Sequence, residues 1–196
     1  MAEARSMVGG EKRVSKSEGF QNNLEFRSFR AAERDALERF VVDLPAHDLL
    51  FLDRDLRHPK VIAAWVDAVE SGEIASFIAV RDDRILATTA NIRDPLSWSR
   101  HVCEIRLLVL PEARGQGIGR ALLDRSIERA VADGATKLVA RMTPDQTGAI
   151  TLFEESGFRG EALLASHLRD EAGGVHDLAI LALDPSREAA KLAAFT

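Results

Sequence analysis

At 196 residues with a formal net charge of -5, the chain has a length typical of one globular domain. Charges of both signs are interspersed, which argues against a nucleic-acid partner, and no apolar segment is long enough to predict a membrane-spanning helix. The single cysteine, Cys103, excludes an internal disulfide, so we expect a cytoplasmic protein, and no metal site is predicted.

The predicted elements follow a polar N-terminal extension at 1–22, which we expect to be flexible. One domain is expected at 23–185, followed by a tail at 186–196. Hydrophobic periodicity and turn residues predict strands at 24–29, 73–80, 84–92, 101–110, 136–141, 158–168 and 175–183. Helices are predicted at 31–42, 61–70, 118–131 and 144–155, the last opened by a capping box, with Pro144 at its first position.

A glycine loop follows the strand at 101–110 and leads directly into a helix. It reads RGQGIG at 114–119, with Arg120 next. The backbone N–H groups of such a loop and of the first helical turn have no intrahelical partner, and they meet the positive end of the helix dipole. The arrangement therefore predicts a phosphate or diphosphate site, which Arg114 and Arg120 could help to neutralise.

This segment can be compared with three kinds of anion-binding loop. A Walker loop requires Gly-Lys-Ser/Thr, whereas Arg120 and Ala121 follow the last glycine here. A dinucleotide-binding loop requires G-x-G-x-x-G and an acidic residue after the second strand, and neither is present, although a nucleotide-binding α/β domain stays an alternative. The segment at 114–119 resembles the R/Q-x-x-G-x-G/A loop of the GNAT family of N-acetyltransferases at every defining position.

Two flanking segments strengthen that resemblance. The strand before the loop ends in Val-x-Pro at 109–111, and GAITLFEESGF at 148–158 is similar to the family's A-I-x-L-(Y/F)-E-x-x-G-F segment. The resemblance covers 24–184 and implies the GNAT fold, an α/β (α+β) architecture. In that fold a mixed central sheet of about seven strands carries helices on both faces.

The resemblance implies an acyltransferase enzyme with acetyl-CoA as co-substrate. The acceptor would be a primary amine on a small molecule or peptide, attacking directly in a ternary complex, and a homodimer is left open. The implied cofactor-binding residues comprise a strand that pairs with pantetheine, a loop that holds the diphosphate and two positions near the next helix: Leu107, Leu108, Val109, Arg114, Gly115, Gln116, Gly117, Ile118, Gly119, Arg120, Gln146 and Phe153.

Proton transfer is the larger chemical task in such a reaction. Presenting a free amine from an ammonium of pKa near 10.4 costs about 4–5 kcal/mol at pH 7, whereas releasing a thiolate of pKa near 8.5 costs about 2 kcal/mol. The family's base is often a carboxylate on the strand before the loop, which points to Glu104 as the catalytic residue. The alternative is a structural Glu104 paired with Arg106 or Arg93, and His101, His167 and His176 are lesser candidates for the base.

The chain departs from the family where many members have a tyrosine acid. Phe153 stands at that position, and the chain contains no tyrosine, so water or Ser156 would have to protonate the leaving thiolate. Gln146 similarly stands where the family often has Asn. These departures leave open a second function, an acyl-CoA-binding sensor or regulatory module without turnover.

Several other residues are candidates for a role near the acceptor site. Trp98 lies in a loop and could touch an acceptor, whereas Trp65 is expected in the core. The acidic residues Asp48, Asp53 and Asp55 could attract an amine or form a solvated face. A covalent route through Cys103 is the least favoured, because a buried structural cysteine is far commoner.

Overall fold

The computed structural model describes residues 23–186, and the structural statements below concern that range. The extension at 1–22 and the tail from 187 onward lie outside it, so the flexibility expected of these segments stays a prediction. None of the helices within the described range is long and apolar enough to cross a membrane.

Seven strands form one mixed sheet in the order β1-β2-β3-β4-β5-β7-β6. Neighbouring strands are antiparallel except for β4 and β5, which run parallel. The strands are β1 (Leu24–Ser28), β2 (Ile74–Arg81), β3 (Arg84–Ile92), β4 (Val102–Val109), β5 (Lys137–Met142), β6 (Arg159–Arg169) and β7 (Val175–Leu183).

The described residues also form four α-helices and three short 3-10 turns. The helices are α1 (Arg34–Val42), α2 (Pro59–Glu70), α3 (Ile118–Ala132) and α4 (Thr147–Glu155). The 3-10 turns are Ala31–Glu33, Ala46–Leu49 and Pro111–Ala113. This element order confirms the predicted fold class.

Helices cover both faces of the sheet, as expected. Every residue of β3 from Ile85 to Asn91 is buried, which requires packing on both sides of the strand. On one face α3 is fixed by Asn91, whose Nδ2 donates to the carbonyl of Ser126 at 2.8 Å, and by Ser126, whose hydroxyl donates to Thr89 at 2.8 Å. The opposite face is covered by α1 and α2.

Strands β4 and β5 separate part-way along their length. They pair only from Val102–Lys137 to Glu104–Val139, although β4 continues to Val109 and β5 to Met142. Beyond Glu104 the two strands diverge, and a cleft opens at their C-terminal ends. Backbone groups on the facing edges are free there to bind a ligand.

The start of α4 differs from the prediction. The helix begins at Thr147 with Gln146 as its N-cap, so Pro144 is not at the first helical position. Half of the expected capping box forms, because the N–H of Thr143 donates to Oε1 of Gln146 at 3.1 Å. The other half is absent since the Thr143 hydroxyl lies 3.2 Å from Nε2 of His47 instead. A tertiary contact has replaced the local cap.

Candidate functional site

A cavity of about 660 Å³ fills the cleft between β4 and β5 and extends to the glycine loop and the start of α4. Most of the predicted site residues line it: Leu107, Leu108, Val109, Arg114, Gly115, Gly117, Gly119, Arg120, Gln146 and Phe153. The remaining three, Glu104, Gln116 and Ile118, are not among the lining residues. The sequence motifs and the cavity therefore point to the same end of the sheet.

The glycine loop has the backbone geometry that an anion site requires. Gly115 and Gly117 have φ values of +70° and +76°, in the left-handed region that glycine tolerates best. Gly117 is also the N-cap of α3 and supplies no side-chain acceptor to the first turn. The N–H groups at the start of α3 are left for a ligand at the positive end of the helix dipole.

The two flanking arginines line the cavity but already have protein partners. Arg114 donates to the carbonyl of Val109 from Nε at 3.2 Å and from Nη2 at 3.1 Å, and it forms an ion pair with Asp48. Arg120 forms an ion pair with Glu155 and donates to the Ser156 hydroxyl at 3.1 Å. Backbone N–H groups are therefore the uncommitted donors of this loop.

The side chains of Gln116 and Ile118 support the glycine loop and do not line the cavity. Nε2 of Gln116 donates to the carbonyl of Glu112 at 2.7 Å, and its Oε1 accepts from Arg81 at 3.4 Å. Ile118 is buried in the core beneath the loop. These side chains hold the loop in place, so their backbone N–H groups, not their side chains, can meet a ligand.

The α4 end of the cavity offers few side-chain donors. The Oε1 atom of Gln146 accepts from its own turn, and Phe153 is buried edge-on against Phe158 with ring centroids 5.0 Å apart. Ser156 donates its hydroxyl hydrogen to the carbonyl of Leu152 at 3.0 Å. Phe153 therefore forms an apolar wall of the cavity, and the hydroxyl hydrogen of Ser156 is engaged by the last turn of α4.

Glu104 belongs to an ionic cluster on the α1–α2 face of the sheet. Its Oε1 accepts from Nε of Arg106 at 2.7 Å and from Nε of Arg141 at 3.1 Å. Asp53 joins the same two arginines, at 2.7 Å from Arg106 and 2.8 Å from Arg141. The pairing with Arg106 considered as an alternative is thus present, whereas Arg93 bonds the carbonyl of Arg100. Of this cluster, Arg141 borders the cavity.

Electrostatics in this cluster stabilise the charged form of Asp53. Burial alone would raise the pKa of Asp53, but hydrogen bonds and charges from Arg141 and Arg106 lower it below 3.8. Burial likewise opposes the charge of Arg141, and its pairing with Asp53 and Glu104 raises its pKa. The cluster therefore fixes the segment after the second 3-10 turn against β4 and β5.

His47 is a cavity residue that the sequence analysis missed. Its Nε2 lies 2.8 Å from Oδ2 of Asp145, and its ring is 5.3 Å from that of His176 in an edge-on contact. His176 in turn pairs with Asp170 at 2.8 Å. The segment that carries His47 has no hydrophobic period, and the only cue was a histidine beside Asp48 in an acid-containing stretch.

Of the other candidates, Asp48 lines the cavity, where it pairs with Arg114, and the rest do not line it. His101 and His167 are exposed, Trp98 is fully exposed between β3 and β4, and Trp65 packs against the α1–α2 core as expected. Asp55 is paired with Arg57.

Cys103 is completely buried. Burial raises the pKa of the Cys103 thiol to about 11, which leaves little thiolate near neutral pH.

A strand, glycine loop and helix beside diverging parallel strands define the acyl-CoA N-acyltransferase class of fold. The model of the acetyltransferase (GNAT) family matches residues 26–158, more than half of the chain. The chain therefore belongs to the GNAT acetyltransferase family and is an acyltransferase that uses acetyl-CoA as co-substrate. No curated protein matches the chain at a significant level.

Solved structures with low sequence identity share this fold. A ribosomal-protein-alanine N-acetyltransferase from Brucella melitensis is similar with a TM-score of 0.72 and 22% identity, covering 82% of this chain and 99% of its own. yncA from Salmonella typhimurium, a putative acetyltransferase solved with acetyl-CoA, gives a TM-score of 0.70 at 21% identity, covering 83% of this chain and 94% of its own. An N-acetyltransferase from Staphylococcus aureus Mu50 gives a TM-score of 0.70 at 20% identity, covering 83% of this chain and 98% of its own.

Proposed function

We propose that the chain transfers the acetyl group of acetyl-CoA to a primary amine, on a small molecule or a peptide, by direct attack in a ternary complex. The observation that carries the proposal is that the cleft between β4 and β5 opens onto the glycine loop of α3. One elongated ligand, with a diphosphate at one end and an acyl group at the other, would occupy the glycine loop and the cleft together.

This arrangement also indicates how acetyl-CoA, the acetyl donor, would bind. The diphosphate would lie on the backbone N–H groups at 115–119, and pantetheine would pair with the free edge of β4 at Leu107, Leu108 and Val109. A backbone N–H in the same stretch of β4 would stabilise negative charge on the thioester oxygen during attack. Phe153 and Leu152 would enclose the thioester.

The base in this proposal is a carboxylate on β4. Glu104 is the base predicted from the sequence, and it lies on the strand that borders the cavity. Because its Oε1 is engaged by two guanidinium groups and its side chain does not line the cavity, it would act through water. The missing tyrosine acid is tolerable, since releasing the thiolate costs only about 2 kcal/mol.

A second candidate function is an acyl-CoA-binding sensor without turnover. Phe153, buried where many family members have a proton donor, is the observation that favours it. Both functions require acetyl-CoA binding, so turnover alone separates them.

Two measurements test these proposals in sequence. Thermal denaturation with acetyl-CoA, CoA, ATP or NAD tests the ligand class, because a ligand at a hundred times its Kd stabilises by about 2.7 kcal/mol. Stabilisation by ATP or NAD and not by CoA would contradict acyl transfer. Thiol release from acetyl-CoA with a set of amines then separates enzyme from sensor.

The amines in that set can be chosen from the activities named for structurally similar proteins. These include a ribosomal-protein-alanine, a spermidine and a phosphinothricin N-acetyltransferase. An alanine-initiated peptide, spermidine and phosphinothricin, with an aminoglycoside and a lysine peptide added, would sample the main acceptor classes. A cytoplasmic location and a homodimer complete the proposal, the latter testable by size-exclusion chromatography with light scattering.

A further inference from the structure

We infer that His47, held by Asp145, is the residue that takes the proton from the attacking amine. The inference rests on the proposed acetyl transfer and assigns the base to a different residue from Glu104. His47 combines a cavity position, a carboxylate partner and a free ring nitrogen.

His47 lies on a short turn that bridges the two sides of the cleft. The 3-10 turn Ala46–Leu49 is anchored at both sides of the diverging strands. On the β4 side Asp48 pairs with Arg114, which itself holds the carbonyl of Val109. On the β5 side His47 pairs with Asp145. The turn therefore spans the cleft, and the imidazole is among the groups that line the cavity.

The hydrogen bonds of His47 define which nitrogen can act. When the imidazole is neutral, Nε2 carries the hydrogen that is donated to Oδ2 of Asp145 at 2.8 Å. Nδ1 then holds the lone pair, and within residues 23–186 no hydrogen bond to it is found. A base oriented through its other nitrogen by a carboxylate is the arrangement that favours proton abstraction.

A carboxylate lies beside the imidazole ring of His47. A hydrogen bond from the Thr143 hydroxyl lowers the pKa of Asp145, which keeps this carboxylate ionised beside the ring. Asp48 is neighbouring but is paired with Arg114. His176 contacts the ring edge-on and is itself paired with Asp170 at 2.8 Å.

The step balances in atoms and charge. The amine nitrogen attacks the thioester carbonyl carbon, a C–N bond forms, and the C–S bond breaks with its electron pair leaving on sulfur. One N–H proton moves to Nδ1 of His47, which leaves the amide neutral. The thiolate then takes a proton from water, and the imidazolium returns its proton to solvent.

The geometry distinguishes His47 from Glu104. A base must come within hydrogen-bond distance of the proton it removes. His47 lines the cavity, whereas Glu104 lies behind Arg141 with Oε1 bound to two guanidinium groups.

The test compares kcat/KM and its pH profile in wild type, His47→Gln, Asp145→Asn and Glu104→Gln, by thiol release with the amines given above. We expect His47→Gln to lower kcat/KM by at least about 100-fold and to abolish its acidic limb. Asp145→Asn should lower it by at least about 10-fold. The exposed His167→Gln on β6 serves as the matched control with wild-type rates. Thermal stabilisation by acetyl-CoA should be unchanged in all four variants, which shows that they fold and bind the donor.

The outcomes separate this inference from the function on which it rests. An acidic limb that persists in His47→Gln, or one that disappears in Glu104→Gln alone, overturns the assignment of His47 and leaves acetyl transfer intact. Wild-type protein that binds acetyl-CoA but releases no thiol with any amine overturns both. Free imidazole should restore turnover to His47→Ala and should have no effect on Glu104→Gln.

Discussion

Gly119 on α3 and Leu152 on α4 lie so close that a Cβ atom on Gly119 would be 3.2 Å from Cδ2 of Leu152. The same atom would lie 3.5 Å from Cγ2 of Val109. Glycine at this position therefore lets the first turn of α3 pack against both β4 and α4. The diphosphate loop and the wall of the cleft are held together at this contact.

Gly119→Ala should destabilise the protein despite the higher helix propensity of alanine. In a helix, alanine is more favourable than glycine by about 0.5–1 kcal/mol of folding free energy. Displacing the packed neighbours of the added Cβ costs about 1–3 kcal/mol. We expect a net loss of about 1 kcal/mol, measured by urea denaturation. The control is Gly148→Ala, because no atom lies within 4 Å of its added Cβ, and this variant should be as stable as wild type or more so. Equal stability of both variants would contradict the close contact.

Gly117→Ala should weaken acetyl-CoA binding in addition to destabilising the fold. Gly117 has φ of +76° at the N-terminus of α3, and Gly134 has φ of +86° after its C-terminus. Alanine at either position costs about 1–2 kcal/mol of backbone strain. Only Gly117 borders the cavity, so only Gly117→Ala should lose stabilisation by acetyl-CoA in thermal denaturation. A similar loss in Gly134→Ala would argue against a diphosphate site at this loop.

Much of the fold, including the position of the glycine loop, was predictable because its signals are local. The glycine spacing at 114–119 defines the loop, and alternating or helical periods define nearly every strand and helix. The β2–β3 hairpin is one example, with Asp82 and Asp83 at positive φ between the two predicted strands. In each case the residues that specify the element are those that form it.

The remaining features depend on contacts between distant residues. The pairing of Asp53 with Arg141, and of His47 with Asp145, joins a segment without periodicity to the end of β5. The contact of Thr143 with His47 likewise replaced the helix cap that the local sequence predicts. No local pattern encodes such pairs, because they exist only once the sheet has brought the segments together.

Cys103 should be chemically inert in the folded protein. Burial raises the pKa of its thiol to about 11, so at pH 8 only about one molecule in a thousand would carry a thiolate. We expect no alkylation by iodoacetamide under native conditions and complete alkylation in urea, measured by mass spectrometry. Cys103→Ala should keep wild-type kcat, and a large loss of kcat with wild-type stability would instead support a covalent acyl-cysteine.

Asp53 should contribute stability that depends on pH. Because burial is outweighed by hydrogen bonds and charges from Arg141 and Arg106, the pKa of Asp53 is lower in the folded state than its ordinary 3.8. A lowered folded-state pKa gives stability that is fully present above the unfolded-state pKa and is lost as pH falls through the folded value. Since more than half of the Asp53 side chain is exposed, we expect Asp53→Asn to cost no more than about 1 kcal/mol at pH 7. Urea denaturation from pH 7 to pH 2 should show the two proteins converging below about pH 4, and a constant difference across that range would contradict the ion-pair origin of the effect.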